Sequence, residues 1–170
     1  MMHLFRNVLK MVKSIDLLID NKMIPSALIV LYSSIDIVSS LAVMGDRDAQ
    51  RSDFINWVDK YLVPKLQTHC SGRDIYAARC SVVHTLGSES LLSRRGDAKL
   101  IAYVWGDRTS EELQSKLVLL EEEFIVLKIE ELTQALREAI AEFFKTEDKE
   151  LLGNIKYRSQ KMFSDEDIFV

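Results

Sequence analysis

Proline and glycine are scarce in this sequence, which holds two prolines and six glycines in 170 residues. Strand-rich domains need turn residues every 8 to 12 positions or so, and this chain cannot supply them. Long uninterrupted segments favour helices, and the length suits one domain with its own core. We predict a mainly α-helical bundle that forms a single domain over residues 1–163, with a flexible tail over 164–170.

Cysteine and histidine are also rare, with two cysteines and three histidines in the whole chain. Cys70 and Cys80 do not form a CxxC pair, and no cluster has the spacing of metal ligands. This pattern excludes a zinc finger and a disulfide-based scaffold. We predict that both thiols are reduced in a cytoplasmic protein that uses no metal or other cofactor.

Positive charge is in deficit, because 22 basic residues against 26 acidic residues give a net charge of −4. A protein covered by nucleic acid is normally basic, so the composition argues against a broad nucleic-acid surface. A local basic patch remains open, and Arg94, Arg95 and Lys99 make one candidate. The alternative for these three residues is an exposed, solvated loop.

The sequence also lacks a convincing signal peptide and an uninterrupted membrane-spanning run. Residues 24–44 approach the length of a transmembrane helix, but Asp36 and five serines interrupt them. We predict instead that residues 22–43 form the central, most buried helix of a protein that makes no membrane contact.

Helical periodicity recurs along the chain. Apolar positions in 3–20 and in 129–145 follow the spacing of amphipathic helices, and 149–162 predicts a last helix. A further helix is predicted to start at an Asp53 cap and to bend or end at Pro64.

Two short runs of β-branched and aromatic residues, 100–105 and 122–128, interrupt the helical pattern. We predict that they pair as a small antiparallel ribbon. Thr109 and Glu112 have the spacing of a capping box for a short helix between them. The alternative places the second run inside one long helix over 111–145.

Residues 73–86 concentrate the chemistry of the chain, because Arg79 precedes His84 there in a predicted helix. Arginine can hold phosphate charge, and histidine can move a proton near neutral pH. Positions five apart lie roughly 140° apart around a helix axis, so the two side chains do not share a face. Convergence needs a broken helix or a second copy of the chain. The alternative is a structural arginine paired with a carboxylate, beside a packed, hydrogen-bonded histidine.

Small residues line the His84 face of this helix and would let another helix come close; they are Ala77, Cys80 and Ser81. We therefore predict a homodimer with this stripe and His84 near the two-fold axis. The Arg79 face is expected to be core and carries Ile75, Val82, Val83 and Leu86.

An apolar helix followed by Arg79-Cys80-Ser81-Val82-Val83-His84 resembles the HEPN superfamily, and most of all its small prokaryotic stand-alone members. The signature of that family is an arginine, four to six arbitrary residues and a histidine. The resemblance implies a metal-independent endoribonuclease of a prokaryotic toxin or antiviral defence system. It also implies an RNA substrate, a dimer with two facing motifs, and a possible antitoxin partner. Many members have a polar residue after the arginine, whereas this chain has Cys80.

Roles for individual residues follow from this interpretation. His84 is expected to serve as acid or base, and Arg79 to stabilise charge on the phosphorane. Asp36 is a carboxylate in an apolar helix and needs a partner, for which Arg79 is the natural candidate. Substrate contacts are expected from Ser81, Ser88, Arg94 and Arg95. Two alternatives stay open: a non-catalytic HEPN-like module that binds a partner protein or nucleotide, and a helical protein in which Arg79 and Asp36 form a structural pair.

Overall fold

The computed structural model describes residues 2–87, 89–117 and 124–161, so Ser88 and the predicted tail over 164–170 lie outside the described residues. As predicted, the protein is mainly α-helical with a small two-stranded sheet. The elements are α1 (Met2–Asp20), α2 (Ile24–Leu41), α3 (Arg51–Trp57), a π-helical turn (Val58–Leu62), a 3₁₀ turn (Val63–Lys65), α4 (Gly72–Thr85), α5 (Leu91–Arg94), β1 (Leu100–Val104), α6 (Ser110–Leu117), β2 (Phe124–Lys128), α7 (Ile129–Phe144) and α8 (Lys149–Ser159).

The predicted central helix is α2, which has more buried residues than any other described helix. Pro25 lies in its first turn, where the missing N–H leaves no hydrogen bond unmade. α1 and α7 pack against α2 and against each other, and α4 also packs against α2. By length and composition α2 could cross a membrane, but half of it is buried inside this fold.

α3 starts earlier than the sequence predicts. Gln50 is the N-cap residue, and the helix begins at Arg51. Asp53 is the third helical residue, and its carboxylate accepts a hydrogen bond from the Gln50 backbone N–H at 2.8 Å. The predicted Asp53 cap is therefore wrong in register, because a capping box uses its carboxylate one turn inside the helix. Pro64 ends the helical segment, as expected.

The two strands are parallel, and the predicted antiparallel ribbon is wrong. α6 lies between them and returns the chain to the starting edge, which is the connection that parallel strands require. Thr109 and Glu112 do form the predicted capping box at its start. The Tyr103 hydroxyl of β1 hydrogen-bonds the Tyr32 hydroxyl of α2, so the sheet is fixed to the central helix. Burial raises the pKa of both phenols.

Candidate functional site

A capping box and a close backbone contact fix the start of α4. The Ser71 side chain accepts from the Asp74 N–H, and the Asp74 carboxylate accepts from the Ser71 N–H at 2.8 Å. The Gly72 N–H donates to Asp59 at 2.6 Å, and a Cβ at Gly72 would lie 2.6 Å from the Ile55 carbonyl oxygen. Glycine is required here because the α4 backbone touches the preceding helical segment.

The end of α4 exposes its last turn. Leu86 caps the helix in the left-handed region, with φ of 52°, and its N–H donates to the Val82 carbonyl oxygen. Leu86 is also 60% exposed, so the prediction that it belongs to the core is wrong. The exposed His84 side chain lies in this last turn, directly before the chain leaves the helix.

Arg79 and His84 are in contact within one unbroken helix. The Arg79 Nη1 lies 3.1 Å from the His84 Nε2. The prediction that convergence needs a broken helix or a second copy is therefore wrong. It compared directions from the helix axis and neglected the length of the arginine side chain, which can bend along the helix surface to the next turn.

Asp36 holds the guanidinium from the other side. The Arg79 Nε donates to the Asp36 Oδ2 at 2.7 Å, which confirms the predicted pair between α2 and α4. Partial burial disfavours the charged arginine, but the interactions with Asp36 and then with Cys80 outweigh it and raise the pKa of Arg79. The exposed fractions of the two side chains are 22% and 33%, so solvent still reaches the pair.

The contact also sets the tautomer of His84. A guanidinium only donates, so the His84 Nε2 must offer its lone pair to Arg79. The neutral imidazole then carries its proton on Nδ1. A guanidinium and an imidazole therefore meet at an exposed point of the surface, with the Nε2 lone pair of His84 engaged by Arg79.

Three residues around Arg79 and His84 were not predicted from the sequence to interact there. Cys80 interacts with both Arg79 and Tyr76. The Arg51 guanidinium of α3 lies over the Tyr76 ring, 5.4 Å from its centroid. Partial burial raises the pKa of Tyr76 and Cys80 raises it further, while Arg79 and Arg51 oppose this. Tyr76 could have been found one turn before Cys80, but no local pattern connects Arg51 to α4.

The predicted small-residue stripe is only partly accessible. Ala77 and Ser81 are 2% and 3% exposed, because they pack inside the monomer. The Ser81 hydroxyl donates to the Ala78 carbonyl oxygen at 2.9 Å. We therefore do not retain Ser81 as a substrate contact, and a close helix approach through this stripe is not available.

Arg94 and Arg95 are exposed, as a substrate-binding role requires, but no described contact joins them to Arg79 or His84. Arg94 lines a separate open groove of about 680 Å³ with Ser93 and Lys99 among its neighbours. The Lys99 N–H donates to Asp74 at 2.8 Å, so the chain after α5 returns toward the start of α4.

No protein-family model, curated protein or solved structure matches this chain. The resemblance to the HEPN superfamily therefore rests on residues of the sequence and remains a prediction. Among the described residues, no group of three or more His, Cys, Asp or Glu side chains could hold a metal ion.

Proposed function

We propose that the protein is a metal-independent endoribonuclease in which Arg79 and His84 are the catalytic residues. One observation carries the proposal: the Arg79 guanidinium, fixed by Asp36 at 2.7 Å, lies 3.1 Å from the exposed His84 imidazole. The guanidinium supplies the fixed positive charge that a metal ion supplies in other nucleases.

The reaction follows from these two groups. When the Arg79 Nη1 shifts its donor from His84 to the phosphate of the substrate, the freed Nε2 lone pair takes the proton of a ribose 2′-hydroxyl, whose oxygen then forms a bond to the adjacent phosphorus. Arg79 donates to the equatorial oxygens as negative charge develops on them. The bond from phosphorus to the 5′-oxygen breaks, and protonation of that oxygen completes the step. The products are a 2′,3′-cyclic phosphate and a free 5′-hydroxyl.

A second copy of the chain would supply a second imidazole as the acid. We propose a homodimer for this reason and because exposed leucines lie close to the site in sequence. Leu86, the C-cap of α4, is 60% exposed, and Leu91, the first residue of α5, is 55% exposed. An apolar surface beside a site is commonly covered by a partner.

The biological setting is also a proposal, supported by the family resemblance alone. It is a toxin or antiviral defence system of a prokaryotic cytoplasm, with an antitoxin protein as a possible partner. RNA is the proposed substrate.

The test of the chemistry is cleavage of end-labelled RNA by purified protein. We expect His84→Ala and Arg79→Ala each to lower the rate by about 10²–10⁴-fold. His69→Ala is the matched control, because His69 is exposed and outside the pair. Cleavage should survive EDTA and leave 2′,3′-cyclic phosphate ends. Equal rates for wild type and both site variants, or loss of cleavage on chelation alone, would rule the mechanism out.

Arg94 and Arg95 remain proposed substrate contacts without a part in the chemistry. They are exposed arginines in a protein of net charge −4, where any polyanion needs a local basic patch. Replacing both by alanine should weaken RNA binding and flatten its salt dependence. Titrations at two salt concentrations that give identical affinities and slopes would assign them to a solvated loop.

The Asp36–Arg79 ion pair also favours a second candidate function. An arginine neutralised by a carboxylate is common in purely structural pairs, and such a pair suits a non-catalytic HEPN-like module that binds a partner protein or nucleotide. RNA that is bound but never cleaved by the wild-type protein would support this candidate over the nuclease.

A further inference from the structure

The exposed face of α4 carries positive and aromatic side chains and no acidic one. At 3.6 residues per turn, Tyr76, Cys80, Arg73 and His84 fall within roughly 140° of arc from Arg79. The one acidic residue of α4, Asp74, is buried on the other arc and is engaged by backbone N–H groups. The strip therefore carries no acidic residue of α4 itself, and the carboxylate at its border, Asp36 of α2, is paired with Arg79.

Arg51 widens the strip from the neighbouring helix. Its guanidinium lies over the Tyr76 ring, and the edge-to-face contact of Phe54 with that ring, 5.4 Å between centroids, holds the tyrosine in place. Within the described part of the chain, neither Arg51 nor Arg73 has a carboxylate partner. Both charges are thus available to a ligand, in a protein whose net charge is negative.

From this juxtaposition we propose that the α4 face and Arg51 form a track for single-stranded RNA that leads to Arg79 and His84. The track rests on the proposed function. The rise from Arg73 to His84 is roughly 16 Å at 1.5 Å per residue, which is the length of about five phosphates in a stacked strand. Grooves that bind single-stranded nucleic acid usually combine basic side chains, which contact the phosphates, with aromatic rings, on which the bases stack. A duplex would need a broader basic surface than this composition provides.

The track is tested by binding in a protein that cannot cleave. Fluorescence anisotropy with a short end-labelled RNA strand is measured at several salt concentrations, in a His84→Ala background. Arg51→Ala and Arg73→Ala should each weaken binding several-fold and lower the slope of log affinity against log salt by about 0.7. The matched control is Arg6→Ala, an exposed arginine of α1, which should bind like the background protein. An RNA duplex should compete poorly with the strand.

The outcomes separate this inference from the nuclease proposal. Equal binding by the Arg51, Arg73 and Arg6 variants, or no binding by the background protein, would overturn the track. Selective loss in the Arg51 and Arg73 variants supports it. Cleavage is assayed separately in the protein with His84 intact. Selective binding without any cleavage would overturn the nuclease and leave the track as the surface of a non-catalytic RNA-binding module.

Discussion

At the scale of single residues, Arg79 is defined by its two partners. Asp36 fixes one edge of the guanidinium and leaves another nitrogen directed at His84. Without Asp36 the long Arg79 side chain would sample many rotamers. The entropy lost when it becomes ordered would then add to the activation free energy. Asp36 is therefore a positioning residue in the proposed reaction.

We expect Asp36→Asn to lower kcat for RNA cleavage by about ten- to a hundred-fold with little change in KM, because orientation is lost and substrate contacts are kept. Unfolding should become easier by no more than about 1 kcal/mol, since the pair is partly exposed. Asp16→Asn is a useful comparison, because Asp16 pairs with Arg137 away from the site. A purely structural Asp36 would change the melting temperature and leave kcat unaltered.

Cys70 gives a second prediction at this scale. Burial, followed by the charges of Asp74 and Asp59, raises its pKa from about 9 to about 11. Because its pKa is raised, the Cys70 thiol keeps its proton to a higher pH in the folded state than in the unfolded chain. The contribution of Cys70 to the free energy of unfolding is therefore fully present below pH 9 and is lost as the pH rises toward 11. At pH 8 the native thiolate fraction is about a hundred-fold lower than in the unfolded chain.

Alkylation by iodoacetamide at pH 8, followed by mass spectrometry of the Cys70 peptide, should therefore be about a hundred-fold slower in native protein than in denaturant. Free Cys70 and Cys80 are both present, and arginines between them place them in separate tryptic peptides. Equal Cys70 rates in the two conditions would contradict the burial of this thiol.

At the scale of elements, the spacing of apolar residues predicted the helices well, but the predicted pairing of the two strands was wrong. α1 and α2 lie within a residue or two of their predicted limits, because apolar spacing records which face is buried. The helix predicted from Thr109 and Glu112 between the two strands already pointed to a parallel pair, because a helical connection returns the chain to the starting edge; the antiparallel prediction did not use this signal. The contact between Arg79 and His84 within one chain was not predicted either. Residue spacing fixes only the direction in which each side chain leaves the helix, and a long side chain such as arginine can bend away from that direction.

The junction between α3 and α4 gives the prediction for elements. Gly72→Ala would place a Cβ 2.6 Å from the Ile55 carbonyl oxygen, which belongs to backbone and cannot move aside cheaply. We expect a loss of about 1–3 kcal/mol in the free energy of unfolding. Gly153→Ala is the matched control, because Gly153 lies in α8 with no atom near its added Cβ. That change should stabilise the protein by about 0.5–1 kcal/mol. Urea denaturation of both variants measures the difference, and a Gly72→Ala protein as stable as wild type would show that the junction is loose.

At the scale of the whole molecule, the proposed reaction needs both a base and an acid. His84 is the imidazole that the described contacts place at Arg79, so we assign the acid to a second copy of the chain. Contact between copies through Ala77 and Ser81 is blocked because both are buried. Among the described residues, Leu86 and Leu91 are the exposed large apolar side chains that follow His84 most closely in sequence, so we place the proposed two-fold contact at the C-terminal end of α4 and the start of α5.

We expect light scattering to give twice the 19.5 kDa chain mass at micromolar concentration. Replacing Leu86 and Leu91 together by serine should yield a folded monomer, because a polar pair no longer gains from being covered. RNA cleavage should fall with the dimer, since the second His84 leaves the site. Leu17→Ser is the control: Leu17 is 57% exposed on α1, and its loss should leave the dimer and the activity intact. A wild-type monomer at high micromolar concentration would refute the dimer. A monomeric double variant that still cleaves RNA at the wild-type rate would show that one His84 serves as both base and acid.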